Sequence, residues 1–152
     1  NCLDGKRYTN INFIPFLKTN SEVNDLLNAI DIDLTGLSGA EGWNLPAFNA
    51  SCLGKWSIVL NATSHLDWAN NTNSILVESE KVEPCYDGKF FQEGSTFNQG
   101  NIFTWDSDVV SQAMDIAVSK KGQNNSEGEK LKDEFSYSRS VDRLLKGIEE
   151  SV

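Results

Sequence analysis

Between residues 39 and 56 the chain reads GAEGWNLPAFNASCLGKW, a stretch that no single secondary-structure element accommodates. Gly39 and Gly42 interrupt regular structure at its front. Pro46 falls where the first turn of a helix tolerates a missing N–H, and Gly54 falls where a helix stops. The pattern predicts a glycine-rich turn followed by a helix from about Asn44 to Leu53. On one side, IDIDLTGL (30–37) alternates like a strand; on the other, KWSIVLNA (55–62) reads as a further strand. A strand-helix-strand order this short implies parallel strands with helices on the sheet faces.

The surrounding residues extend the order. INFIPFL (11–17) is a short apolar run ending at Lys18-Thr19-Asn20 and reads as a buried strand. Ser21 with Glu22 can cap a helix in which Val23, Leu26, Leu27 and Ile30 form one apolar stripe. HLDWA (65–69) reads as a short turn or helix, and SILVES (74–79) as another strand. Residues 81–106 are rich in glycine and aromatics and lack periodicity, which predicts a long functional or wrapping loop. Helical spacing returns over 107–121 through Val110, Ala113, Met114 and Ala117, with Asp106 or Ser107 as the cap. GQNNSEGE (122–129) reads as a polar linker, and a last helix over about 130–150 presents Val141, Leu144, Leu145 and Ile148 on one face. The organisation expected is a Rossmann-like α/β domain over 1–121, the linker, and a C-terminal helix (130–152) packed on that domain.

With 152 residues, one domain with a real core is possible. The hydrophobic fraction of 39% and charged fraction of 23% fit a globular chain rather than a disordered or fibrous one. A net charge of −9 argues against nucleic acid or an anionic membrane as the main partner, so an anionic ligand would have to be held by local dipoles. No apolar run reaches the length of a membrane span, and the first residues carry no secretory signal pattern. Cys2, Cys52 and Cys85 form no CxxC, and His65 is the sole histidine, so no zinc site is expected. Three reduced thiols and a cytoplasmic location are the reading. The four N-x-S/T triplets, at Asn49, Asn61, Asn70 and Asn124, are ascribed to chance in an asparagine-rich chain.

A glycine-rich turn after the carboxyl end of a parallel strand exposes N–H groups at the positive end of the next helix, a ready place for phosphate or sugar oxygens. Ligands of open α/β sheets sit in the crevice at those ends. Glu41 would point a carboxylate there to accept hydrogen bonds from hydroxyls. Two glycines in such a turn serve equally well as a steric connector, so the turn alone leaves both readings open.

The segment SGAEGWNLPAFNASCLGKWSIVLNATSHLDW, followed by NSILV, resembles the donor-binding half of the retaining GT-B glycosyltransferases, whose mark is an E-x7-E motif of the form EG(F/W)xLPxxEAxxxGKxVI. NINFIPFLKTNSEVNDLLNAIDIDL is similar to the same family's lead-in, so the resemblance covers about residues 10 to 80; the insert over 83–105 resembles extensions in some of these enzymes more loosely. The resemblance implies transfer of a sugar from a nucleotide diphosphate sugar to an acceptor with retention, without metal or cofactor. Glu41 corresponds to the glutamate that contacts the transferred sugar. Gly42, Trp43, Asn44 and Leu45 correspond to the turn whose N–H groups meet the sugar and diphosphate, and Pro15, Phe16 and Leu17 to contacts with the base.

The chain departs from the family pattern at Asn49, where the second glutamate, a ribose ligand, would stand. An amide can bond a ribose hydroxyl without the charge assistance of a carboxylate. The family's Arg/Lys pair for the diphosphate and its acceptor-binding domain have no counterpart here, so an acceptor domain or partner chain is implied. Lys6, Arg7 and Lys18 could replace the pair but read equally as surface charges. The alternative function is a non-catalytic binding or assembly module that keeps the fold. His65 and Asp67 are read as surface or capping residues, with a minor ligand contact left open. Asp87, Glu93 and Asp106 show no fixed pairing. Most of the aromatics are assigned to packing, with Trp43 the exception for stacking on sugar, and Cys52 to a buried hydrophobe.

Overall fold

A computed structural model describes residues 5–97 and 100–151. Cys2 lies outside the described residues. Helix α1 (Asn20–Ala29) leads to strand β1 (Ile32–Gly36), helix α2 (Leu45–Cys52) and strand β2 (Trp56–Leu60). A 3-10 turn (Thr63–Asp67) precedes strand β3 (Ile75–Val77). Strands β4 (Lys81–Pro84) and β5 (Asn101–Thr104) follow, then helices α3 (Ser107–Ser119), α4 (Ser126–Glu129), α5 (Leu131–Glu134) and α6 (Tyr137–Glu149).

The parallel sheet has the order β1-β2-β3. Ile32 pairs with Trp56 and Asp33 with Ser57, the register shifts before Gly36 meets Val59, and Ile58, Val59 and Leu60 pair with Ile75, Leu76 and Val77. All five β2 residues are buried, as expected of a parallel strand covered on both faces. Period-two alternation splits them between two cores. Trp56, Ile58 and Leu60 pack with Val77, Val110, Ala113 and Ala117 under α3. Val59 packs with Ala47, Trp68 and Leu131 under α2 and α5. Fully buried Ala47, Ala50 and Ser51 let α2 approach β2 closely, where Ser57 Oγ donates to the Ala47 carbonyl at 3.2 Å. The architecture is thus a three-stranded parallel sheet flanked by helices.

Several expectations are corrected. Residues 11–17 form no strand: residues 11 to 16 are exposed, Phe16 to 89%, because no described strand offers this run a hydrogen-bond ladder. Thr19, not Ser21, caps α1, in a reciprocal capping box with Glu22. The segment 81–106 is not a single loop, since its two ends pair as an antiparallel hairpin from Lys81↔Thr104 to Pro84↔Asn101. The aromatics Phe90 and Phe97, assigned to packing, are 74% and 79% exposed on the connection between them.

The expected linker 122–129 is anchored. Asn125 is fully buried; its Nδ2 donates to the Lys55 carbonyl at 2.9 Å and the Asn73 carbonyl at 2.7 Å, and its Oδ1 accepts from the Gly128 N–H. One amide therefore ties α4 to the starts of β2 and β3. The expected single helix 130–150 is two helices, because Phe135 takes a non-helical conformation and Ser136 caps α6 afresh by accepting from the Arg139 N–H. No residue of α6 is buried, and Leu144, Leu145 and Ile148 of its apolar stripe are exposed.

Candidate functional site

The turn between β1 and α2 is held from several directions. Asn44 has left-handed backbone angles (φ 61, ψ 68), a conformation that costs a non-glycine residue about 1 kcal/mol or more. Its side chain compensates: Nδ2 donates to the Thr35 carbonyl at 2.9 Å, and Oδ1 accepts from the Ala47 N–H at the start of α2. The Trp68 indole N–H donates to the Trp43 carbonyl at 3.1 Å. From the hairpin side, the Trp105 indole N–H donates to the Leu37 carbonyl at 2.8 Å, and the Phe103 N–H donates to the Gly39 carbonyl at 3.0 Å. A side chain at Gly39 would collide with the Phe103 backbone, which is why glycine stands there.

This clamping sorts the expected site residues. Asn44 is buried and its amide is spent on capping and on β1, so its contribution to a ligand is limited to the backbone. Trp43, expected to stack on sugar, packs edge-on against Phe48 at 5.4 Å and Phe135 at 5.1 Å between ring centroids. Its ring is an anchor of the turn. Among the described residues, the Glu41 carboxylate and the N–H groups of Gly42, Trp43, Asn44 and Leu45 have no hydrogen-bond partner within the chain. Glu41 is half-buried and Gly42 exposed. With Pro46 lacking an N–H and Ala47 capped, Leu45 supplies the open donor of the first turn of α2.

Asn49 lies one turn further along α2, where it lines a groove of about 490 Å³ with Asn20, Asn24 and Leu27 of α1 and with Leu45. Leu45 and Asn49 thus share one open groove. Pro15 and Phe16 are exposed on the extended chain ahead of Thr19 and are not among the residues lining it.

The loop after β2 contributes what sequence reasoning missed. His65, read as a surface or capping residue, is fully buried. Its Nδ1 lies 3.0 Å from the Leu60 carbonyl; a carbonyl only accepts, so Nδ1 carries the proton and Nε2 keeps its lone pair. Burial holds the imidazole below its ordinary range, opposed by the Leu60 carbonyl, the Glu41 carboxylate and the Ala62 carbonyl. The His65 ring meets Trp68 edge-on at 6.1 Å, and Trp68 carries the Trp43 carbonyl, so the 3-10 turn and the glycine turn are packed through one another. Thr63 has φ 57, the only positive-φ residue besides Asn44 and glycines among those described. A β-branched residue in that region is an outlier, and no local pattern in the sequence signals it.

Beneath the site, Asp33 is buried and accepts from the Thr35 hydroxyl at 2.9 Å and the Thr35 N–H at 3.2 Å. Burial raises its carboxyl above the ordinary range, while bonds from Thr35 and Ser57 pull the other way. No group of three or more His, Cys, Asp or Glu among the described residues is placed to hold a metal ion. No helix among the described residues is long and apolar enough to cross a membrane. Compared with family models, curated proteins and solved structures, the chain matches none.

Proposed function

We propose that this chain binds a nucleotide diphosphate sugar and acts as the donor half of a retaining glycosyltransferase. The observation that carries the reading is the clamped turn at the carboxyl end of a parallel strand. It leaves a carboxylate and the four N–H groups of Gly42 to Leu45 free in the turn and at the head of a helix, beside an open groove. Backbone N–H groups at the start of a helix suit phosphate oxygens, and a carboxylate suits sugar hydroxyls. In this reading Glu41 holds the sugar, the Gly42 to Leu45 backbone meets the diphosphate, and the groove bearing Asn49 receives the nucleoside. As the diphosphate departs, the same N–H groups meet the developing charge. An acceptor-binding domain or partner chain completes the reaction.

Titration calorimetry with UDP- and GDP-sugars tests this. Saturable binding is expected, and Glu41→Ala should weaken it about 10- to 100-fold, the value of hydrogen bonds to a charged group. Absence of binding by any nucleotide sugar at millimolar concentration refutes the reading. A second reading, a binding or assembly module without chemistry, is favoured by Asn49, a neutral amide where the resembling enzymes use a carboxylate. Asn49→Glu separates the two: tighter nucleotide-sugar binding supports the donor site, and no change supports the module.

A further inference from the structure

Helix α6 buries none of its residues, yet its apolar side chains fall on one face. Tyr137, Val141, Leu144 and Ile148 are spaced 4-3-4, and Leu145 lies beside them. Tyr137 is 87% exposed, Leu144 64%, and Leu145 and Ile148 52% each. A helix of 13 residues is marginal in water by itself and gains most of its stability by packing such a face. Ser138, Ser140 and Gly147 lower its intrinsic propensity further, so the stripe calls for a cover.

Among the described residues, the rest of the chain does not supply one. Helix α6 meets the preceding segment through Arg143, whose guanidinium lies 3.5 Å from the Glu134 carboxylate and 5.7 Å from the Phe135 ring centre. At about 100° per residue, Arg143 stands roughly 150° from the middle of the stripe. The polar back of α6 thus rests on its own domain, and the stripe looks outward. A helix lying on a membrane sets Lys and Arg against the headgroups. Here Asp142 and Glu149 border the stripe, Arg139, Arg143 and Lys146 stand on the back, and the chain carries a net charge of −9. An anionic lipid surface is therefore a poor match.

We propose that α6 is a self-association surface, its stripe covered by the same stripe of a second copy of this chain. The 4-3-4 spacing is that of two helices packed at about 20°. β-Branched Val141 and Ile148 alternate with Leu144, the order that favours two parallel strands. The border opposite Asp142 and Glu149 is formed by Ser140 and Gly147, small and uncharged. In a parallel pair these positions face Leu145 of the second copy and leave room for it. No charged side chain of α6 falls within the contact, so two acidic chains meet there without like-charge opposition. The contact is small: α6 is about 20 Å long, so the pair falls below the ~1,200 Å² of a standard interface and is weak and reversible. A dissociation constant on the order of tens of micromolar follows, and the chain is a monomer at the dilution of a thermal melt. The proposal is independent of the donor-binding reading.

Sedimentation equilibrium of the whole chain from about 5 to 500 µM, a range chosen to span that constant, tests this. A monomer–dimer equilibrium is expected. Leu144→Glu, at a position exposed in the monomer, should weaken it at least about 10-fold. Gly147→Glu should do the same, although it raises helix propensity, because it sets a charge against Leu145 of the second copy. A side chain added at Gly147 meets nothing within 4 Å in the monomer, so this variant keeps its fold. Arg139→Gln, on the back of α6, should change the constant by less than about 3-fold, as expected of a residue outside the contact. A chain that stays monomeric over the whole range overturns the proposal. If such a monomer instead sediments with vesicles of phosphatidylcholine and phosphatidylserine, the stripe is a membrane surface and the proposal is equally overturned. A dimer indifferent to Leu144→Glu does not use the stripe, and one lost in Leu144→Glu but kept in Gly147→Glu is not the parallel pair; either result refutes the arrangement.

Discussion

Single side chains carry much of the physics. His65 makes stability depend on pH in a definite direction. Its folded pKa lies below the unfolded value of 6.5, because burial disfavours the cation. The unfolded chain therefore takes up the proton first. This contribution is intact above pH 6.5 and is lost as pH falls through the folded-state pKa. Asp33 acts oppositely: its carboxyl is raised from 3.8 by burial, so its share is present below that value and lost as pH rises through the folded pKa. Comparing thermal melts of wild type and His65→Asn cancels Asp33; the difference should be constant from pH 7.5 to 6.5, and the wild type should lose ground below pH 6.5. Cys52 is a second case, its thiol pushed up to about 11 chiefly by burial. Only the thiolate is nucleophilic, so Cys52 should alkylate far more slowly than an unstructured cysteine peptide at pH 8, as followed by peptide mass spectrometry.

Elements are joined here by a few polar staples rather than by long ladders. Asn125 joins α4 to the starts of two strands through two side-chain hydrogen bonds, caps α4 by accepting from the Gly128 N–H, and donates its own N–H to the Gly54 carbonyl at 2.8 Å. Asn125→Ala leaves buried carbonyls unpaired and should cost about 2–4 kcal/mol in denaturant unfolding. Gly128 lies beneath the same amide, where an added Cβ would meet Asn125 Nδ2 at 2.5 Å and the Ser51 carbonyl at 2.6 Å. Gly128→Ala should cost about 1–3 kcal/mol by overpacking. The hairpin acts similarly on the site: without the Trp105 indole, the Leu37 carbonyl loses its donor and the glycine turn one of its clamps. Hydrogen exchange of the Phe103 amide, which donates to the Gly39 carbonyl, should accelerate in Trp105→Phe while β2 stays protected.

Across the whole molecule, stability is concentrated in the sheet and its two covering layers, and α6 stands apart. Its contacts include Arg143 to Glu134 at 3.5 Å and Arg143 over Phe135 at 5.7 Å, both near the surface. Exposed pairs of this kind contribute about 0–1 kcal/mol. Removing residues 137–152 should therefore leave the thermal midpoint within a few degrees while far-UV circular dichroism loses helical signal. A larger fall would mean that the apolar stripe of α6 is covered in solution. The outer side of the sheet is similar: Leu34 of β1 is 41% exposed beside Met114 and Val118 of α3, around an apolar groove of about 350 Å³.

What the sequence determined by itself is the run from α1 through β1, α2 and β2 to β3. Pro46 and Gly54 bracket α2 within a residue or so, the apolar run of β2 is unmistakable, and the spacing of Val110, Ala113 and Ala117 places α3. These signals are local, resting on capping, backbone freedom and periodicity. Glu41 and its turn were legible for the same reason. Tertiary structure alone decided the rest. It paired 81–84 with 101–104 across an aperiodic stretch, left 11–17 without a strand to join, and buried Asn125 inside a run as polar as any linker. It also buried His65 against the Leu60 carbonyl and the Trp68 ring. Each depends on contacts between residues far apart in the chain, and no local residue pattern encodes which distant carbonyl will need a donor or which strand will find a partner.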